Sequence, residues 1–164
     1  MSVLVVMGVS GSGKTTVAEL LAKRLGWQFK EGDELHPAAN IAKMKSGVAL
    51  TDADRWPWLH AVAAFIDDWR ARDQNGIVTC SALKHAYRDI LLTGRPDVRV
   101  VYLQADRALL ESRVAQRHGH FMPASLLDSQ LATLEEPGPD ENPITVQVGG
   151  SPDSIVEAII RLMG

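Results

Sequence analysis

The chain carries Gly8-Val9-Ser10-Gly11-Ser12-Gly13-Lys14-Thr15 directly after the apolar run Val3-Leu4-Val5-Val6-Met7. An apolar strand, a G-x-x-x-x-G-K-[ST] turn and a following helical pattern together predict a phosphate-binding P-loop. Its glycines allow consecutive backbone N–H groups to converge on a phosphate, and the dipole of the next helix attracts the same anion. We therefore expect this stretch to bind a nucleoside triphosphate.

The P-loop pattern assigns a nucleotide role to each of its residues. Lys14 is expected to contact the β- and γ-phosphates and to act in catalysis, and the Thr15 hydroxyl is expected to coordinate Mg²⁺. The other predicted contacts to ATP in this stretch are Gly8, Ser10, Gly11, Ser12, Gly13 and Thr16. A glycine-rich turn that binds nothing is the alternative, and the flanking strand and helix argue against it.

The composition predicts one globular domain over residues 1–164. Hydrophobic residues make up 46% and charged residues 23% of the chain, which is typical of a soluble protein. A net charge of −3 gives no electrostatic basis for binding nucleic acid. No apolar stretch approaches membrane-spanning length, and the N-terminal run is too short for a signal peptide. We expect a cytoplasmic protein with neither a nucleic-acid nor a membrane partner.

Strand and helix patterns alternate along the chain, which predicts an α/β fold with a parallel sheet. The expected class is a three-layer P-loop NTPase fold whose five-stranded sheet is flanked by helices. The predicted strands are Val3–Met7, Trp27–Phe29, Gly76–Cys80, Val98–Leu103 and Ile144–Val148. The predicted helices cover 14–25, 38–45, 87–92, 106–115 and 126–134, with two more beginning at Thr51 and Ser151; the last buries Ile155, Ile159 and Leu162.

Phosphoryl transfer requires a carboxylate near the acceptor hydroxyl, cations and a closing lid. Asp33 follows the second strand, which we expect beside the P-loop strand, so it is the preferred carboxylate. It would either accept the hydroxyl proton or hold Mg²⁺ through water, and a turn-forming aspartate is the alternative. Arg55, Lys84 and Arg88 would together suit an anionic substrate, although any one of them alone is more often plain surface.

A basic, glycine-bearing break interrupts the helical patterns at 117–126 and predicts a mobile lid. Arg113 and Arg117 lie four residues apart and lead into it, where they would contact ATP; a solvated helix stripe is the alternative. His36 and His120 face either the substrate or a structural partner, and the sequence leaves both open. The guanine-reading Asn-Lys-x-Asp of a GTP switch protein is missing from the sequence, and we expect no zinc site.

Several blocks beyond the P-loop resemble the gluconokinase family of small P-loop kinases. They cover nearly the whole chain in the family's order. Besides Gly8 to Thr15, the blocks are 32–37, 52–59, 80–84, 87–89, 111–113, 119–121 and 134–137.

The resemblance implies a nucleoside-monophosphate-kinase-like fold and transfer from ATP to the 6-hydroxyl of D-gluconate, giving 6-phospho-D-gluconate for the pentose phosphate or related routes. It also implies a homodimer. By position, Asp33 would be the base, with Arg117 as a further catalytic residue. The implied substrate contacts are His36, Arg55, Lys84, Arg88 and His120, and Ser151 and Pro152 would lie beside the adenine. A shikimate or nucleoside monophosphate kinase, or a non-catalytic nucleotide-binding module, stays an alternative.

Overall fold

The computed structural model describes residues 2–9, 11–116 and 125–164, which are built around a sheet of five strands. All neighbouring strands pair in parallel, in the spatial order β2-β3-β1-β4-β5. The strands are β1 Val3–Met7, β2 Gln28–Glu31, β3 Gly76–Thr79, β4 Val98–Gln104 and β5 Ile144–Gln147. The α/β class and all five predicted strands are confirmed, with small shifts at their ends.

One prediction about the sheet is wrong: β2 does not lie beside β1. β3 separates them, with Val78 paired both to Val5 of β1 and to Lys30 of β2. The physical reason is burial, because β3 is fully buried and largely apolar whereas β2 is polar and only half-buried, as suits an edge strand. Two strand spacings, about 10 Å, therefore separate the end of β2 from the P-loop strand.

The helices begin and end where local signals predict. Thr51 caps the third helix, since its hydroxyl accepts from the Asp54 N–H at 3.1 Å and the Asp54 carboxylate accepts from the Thr51 N–H at 2.9 Å. Gly26 ends the first helix with a left-handed φ of 70°. The helices are α1 Lys14–Leu25, α2 Ala38–Lys45, α3 Asp52–Ala71, α4 His85–Leu92, α5 Arg107–Gln116, α6 Ser125–Thr133 and α7 Pro152–Met163, with short 3₁₀ turns at Gly32–Leu35 and Pro139–Glu141.

Helices cover both faces of the sheet, which confirms the three-layer arrangement. Alternate residues of β1 supply the two cores: Val5 packs with α3 and α4, and Val6 packs with α1 and α7. On α7 the prediction for Leu162 is wrong, because its side chain is 53% exposed. The buried stripe instead follows Ile155, Val156 and Ile159 and leaves Leu162 outside it. Within the described ranges, no helix is long and apolar enough to cross a bilayer.

Candidate active site

The P-loop follows β1 and has the backbone that its glycines were expected to supply. Gly11 and Gly13 have φ values of 87° and 91°, in the left-handed region that favours glycine. A Cβ at Gly8 would stand 2.7 Å from the Ser12 hydroxyl oxygen and 3.1 Å from the Leu103 carbonyl oxygen. A side chain therefore cannot be added at Gly8 without moving the loop. Ser10, a predicted ATP contact, lies outside the described residues.

Two cations contact the P-loop backbone. The Lys14 ammonium group donates to the carbonyl oxygens of Gly8 at 2.9 Å and Val9 at 3.2 Å. Arg113, on α5, donates from Nη1 to the Gly11 carbonyl oxygen at 3.2 Å. The structure thus places both residues on the loop, as their predicted nucleotide roles require.

A cavity of about 160 Å³ opens beside the P-loop, between the first turn of α1 and the β5–α7 turn. Its wall combines apolar side chains with backbone and hydroxyl groups, which suits the flat face and polar edge of a nucleobase. The lining residues are Ser12, Gly13, Thr16, Val17, Arg113, Val148, Gly150, Pro152 and Ile155. Ser151 caps α7 next to this wall, where its hydroxyl accepts from the Ser154 N–H at 3.2 Å.

The Thr15 hydroxyl is oriented by a carboxylate that sequence reasoning did not single out. Thr15 donates to one oxygen of Glu31, and the Thr79 hydroxyl donates to the other. Thr79 in turn accepts from the Gly32 N–H at 3.0 Å. Glu31 ends β2, so its position at the carboxyl edge of the sheet was the available signal.

These oxygens fit Mg²⁺. Because Thr15 gives its hydrogen to Glu31, its oxygen lone pairs stay available to a hard cation. The described part of the chain has no group of three or more His, Cys, Asp or Glu side chains that could hold a metal. Mg²⁺ in kinases is held by one or two protein oxygens together with phosphates and water, so a dedicated cage is not required.

Asp33 lies on the 3₁₀ turn that follows β2, and His36 is the residue that ends this turn. His36 Nε2 lies 4.0 Å from Asp33 Oδ1, and the His36 ring stacks on Trp58 with centroids 4.0 Å apart. The Trp58 indole N–H donates to the Gly32 carbonyl oxygen at 2.9 Å, which holds the turn against α3. Burial, and then the charge of Arg55, lower the pKa of His36 to about 4, so the imidazole is neutral at pH 7.

Cys80 directly follows β3 and is almost fully buried. Burial, followed by the charge of Asp33, raises the pKa of its thiol to about 12, although a backbone hydrogen bond at Ala82 and the charge of Lys14 oppose the rise. The high pKa keeps Cys80 a neutral, structural thiol. Glu31, which accepts from Thr15, directly precedes the Gly32–Leu35 turn, so the start of α1 and the Asp33 turn lie at the same edge of the sheet.

Arg55 and Lys84 come together around Asp52 and Tyr87. Arg55 Nη1 donates to the Tyr87 hydroxyl oxygen at 2.8 Å, and the Tyr87 hydroxyl donates to Asp52. Lys84 Nζ lies 3.3 Å from Asp52. The hydrogen bond from Tyr87, followed by that from Lys84, lowers the pKa of the Asp52 carboxyl. Asn40 donates to the Asp54 carbonyl oxygen, one residue before Arg55, and also contacts His36, so this cationic cluster adjoins the Asp33 turn.

Arg88 lies apart from that cluster. Its side chain is 1% exposed and forms a bidentate pair with Glu141, at 2.6 Å and 3.2 Å. A third bond, 2.8 Å long, goes to the carbonyl oxygen of Ala82 in the β3–α4 loop. With its guanidinium buried and paired, Arg88 supports the loop, and its predicted substrate contact finds no support in this arrangement.

Besides Ser10, three predicted site features lie outside the described residues. Arg117 and His120 fall in the stretch 117–124 that the structure does not describe. So does most of the predicted lid, 117–126, whose last two residues begin α6. Their roles stay predictions.

Known proteins resemble this chain over most of its length. A family model described as an AAA domain matches residues 3–137. A gluconokinase from Gluconobacter oxydans (strain 621H) is 53% identical over 163 residues, which is 96% of this chain and 89% of that one. The chain belongs to the gluconokinase family. The family resemblance drawn from the sequence blocks is therefore confirmed.

Solved structures agree with the gluconokinase family assignment. An unliganded sugar kinase from Janibacter sp. HTCC2649 has a TM-score of 0.94 at 45% identity, covering 99% of this chain and 94% of that one. A gluconokinase from Sinorhizobium meliloti 1021 has a TM-score of 0.85 at 43% identity, with coverages of 99% and 91%. Both solved structures therefore share the fold of this chain over nearly its whole length.

Proposed function

We propose that this protein transfers the γ-phosphoryl group of ATP to the 6-hydroxyl of D-gluconate, releasing ADP and 6-phospho-D-gluconate. The observation that carries the proposal is the cationic cluster of Arg55 and Lys84 beside the Asp33 turn, at the sheet edge where Glu31 also holds the Thr15 hydroxyl. A sugar acid matches both parts, because it offers a carboxylate to the cations and a primary alcohol to the base. The names of the similar proteins support the same substrate.

The nucleotide half of the site would hold the triphosphate by its backbone and its cations. The P-loop N–H groups and the α1 N-terminus would bind the phosphates, while Lys14 would leave its loop carbonyls for the β- and γ-phosphates. Arg113 would add positive charge at the same loop. Thr15, oriented by Glu31, would hold Mg²⁺, which supplies charge stabilisation when it is bound.

The acceptor half would position and activate the alcohol. Asp33 would accept the proton of the 6-hydroxyl as that oxygen attacks the γ-phosphorus. Arg55 and Lys84 would bind the carboxylate at the other end of the substrate, which fixes the direction in which gluconate lies. Arg117 and His120, from the predicted lid, would complete the site. A cytoplasmic location and a homodimer stay predictions.

The test is ADP release from ATP·Mg²⁺ with a small panel of acceptors: D-gluconate, L-idonate, shikimate, AMP and none. We expect turnover with D-gluconate well above every other acceptor. Turnover with shikimate or AMP alone would keep the phosphotransferase and overturn the acceptor. ATP binding without turnover on any acceptor would favour a non-catalytic nucleotide-binding module.

A further inference from the structure

His36 is a buried histidine whose two ring nitrogens face different groups. Its side chain is 3% exposed, and the ring lies flat on Trp58, with 16° between the planes. Nδ1 lies 3.2 Å from Asn40 Nδ2, whereas Nε2 faces Asp33 Oδ1 at 4.0 Å. Trp58 fixes the plane of the ring, so only the position of the proton is left to determine.

Asn40 decides which nitrogen carries that proton. Its Nδ2 also donates to the backbone carbonyl oxygen of Asp54 at 2.8 Å. A carbonyl oxygen only accepts, so the atom of the Asn40 amide that points there must be the nitrogen. The second hydrogen of this NH₂ group then points to His36 Nδ1, which must accept with its lone pair. A neutral ring whose Nδ1 accepts carries its hydrogen on Nε2.

We propose that His36 is a positioning residue, held by Asn40 with its hydrogen on Nε2, which donates to Asp33 Oδ1 and so orients the Asp33 carboxylate for the acceptor hydroxyl. The inference rests on the proposed function, in which Asp33 is the base. The 4.0 Å separation would shorten when substrate binds, as hydrogen bonds between catalytic groups commonly do. Asn40 contributes indirectly, through the orientation and tautomer of His36.

A neutral imidazole suits this task better than a cation. A protonated His36 would form a full ion pair with Asp33 and so weaken the carboxylate as a base. The charged groups that act on the ring are Asp33, on its own turn, and Arg55, on α3. Arg55 disfavours protonation, and so does the burial of the ring. The histidine can therefore orient Asp33 without neutralising it.

Long-range ¹⁵N–¹H correlation spectra of the full chain at pH 7 read the tautomer directly. The chain has five histidines, and the signals of His36 are those that disappear in His36→Gln. We expect one neutral tautomer with the hydrogen on Nε2. A hydrogen on Nδ1, or averaging between the two forms, would overturn the proposal. In Asn40→Asp the new carboxylate only accepts, so the hydrogen should move to Nδ1.

Two substitutions of His36 separate its two nitrogens. The amide nitrogen of glutamine lies near the position of Nε2, whereas that of asparagine lies near Nδ1. We expect His36→Gln to keep kcat within about threefold and His36→Asn to lower it by about tenfold or more, with KM for ATP unchanged. His60→Gln, at an exposed position of α3, is the matched control. Equal losses of kcat in the two His36 variants, with equal thermal stability, would contradict the proposal.

The experiment distinguishes failure of this inference from failure of the proposed function. The kinetics are run with whichever acceptor in the panel is phosphorylated. If D-gluconate is not phosphorylated but the hydrogen is on Nε2, the proposed substrate is wrong and the predicted tautomer of His36 is confirmed. If D-gluconate is phosphorylated but the hydrogen is on Nδ1, the proposed function is supported and only the positioning role of His36 is wrong.

Discussion

The turns after β1 and β3 both enter the left-handed region of backbone space, and they do so by different means. The P-loop uses Gly11 and Gly13, which adopt positive φ at little cost. The β3–α4 loop uses Ala82, whose φ is 43° although it carries a Cβ. Its carbonyl oxygen is held by the buried Arg88, which Glu141 holds in turn.

This difference shows how the two halves of the site are specified. In the nucleotide half, the phosphate-binding loop is one continuous stretch whose own glycines supply its backbone geometry, and Arg113 and Glu31 join it from elsewhere. The acceptor half is assembled from the Asp33 turn, α2, α3 and the β3–α4 loop, so each of its side chains depends on distant partners. Substitutions in the acceptor half should therefore change turnover, stability or the affinity for the acceptor, and should leave nucleotide binding unchanged.

The largest effect is expected at the base. Asp33→Asn should lower kcat by about 10²- to 10⁴-fold, because an amide cannot accept the hydroxyl proton. The Kd for ATP should stay within about twofold, since the nucleotide half is intact. Steady-state kinetics and ATP titration measure both quantities. Asp68→Asn, on the surface of α3, is the matched control; full activity of the Asp33 variant would show that Asp33 is not the base.

Among these variants, breaking the Arg88–Glu141 pair should cause the largest loss of stability. Arg88→Met alone should lower the free energy of unfolding by about 3–5 kcal/mol, because Glu141 is left charged, buried and unpaired. The double variant Arg88→Met with Glu141→Leu should recover most of that loss. Urea unfolding measures it, with Arg72→Met of the exposed Arg72–Asp68 pair as control. A loss as small as in the control would show that this pair does not hold the loop.

The buried His36 makes stability depend on pH. Its pKa in the folded chain is about 4, below the ordinary value of 6.5. Between these values the unfolded chain binds a proton that the folded chain does not, so the free energy of unfolding should fall as the pH falls from about 6.5 to 4. The expected loss is roughly 2 kcal/mol. Urea titrations at several pH values should show a shallower slope in His36→Gln; an unchanged slope would place the titration elsewhere.

The smallest effect is expected for substrate affinity. Arg55→Leu should raise KM for D-gluconate by about tenfold, because one charged partner of its carboxylate is lost. Arg55→Lys should raise it less, since the charge remains without the guanidinium geometry. KM for ATP should not change in either variant. An equal rise in both KM values would show that Arg55 acts through the whole fold.

The two halves also differ in how far sequence alone predicts them. The P-loop, the caps at Thr51 and Ser151 and the parallel sheet follow from short-range patterns, and the structure agrees with them. The strand order does not follow from such patterns, because it depends on whether β2 or β3 is more completely buried. Glu31 escaped notice since its partners, Thr15 and Thr79, are 16 and 48 residues away. The pairing of Arg88 with Glu141 could not be predicted, because the two residues are 53 positions apart.

Titration calorimetry of Lys14→Ala with a non-hydrolysable ATP analogue and with D-gluconate tests most directly that the site has two separately built halves. Removing the P-loop cation takes away a charged contact to the phosphates and leaves every described partner of Arg55 and Lys84 in place. We predict that the Kd for the nucleotide rises by about tenfold or more, while the Kd for D-gluconate stays within about twofold of wild type. An equal loss of affinity for both ligands would contradict the account.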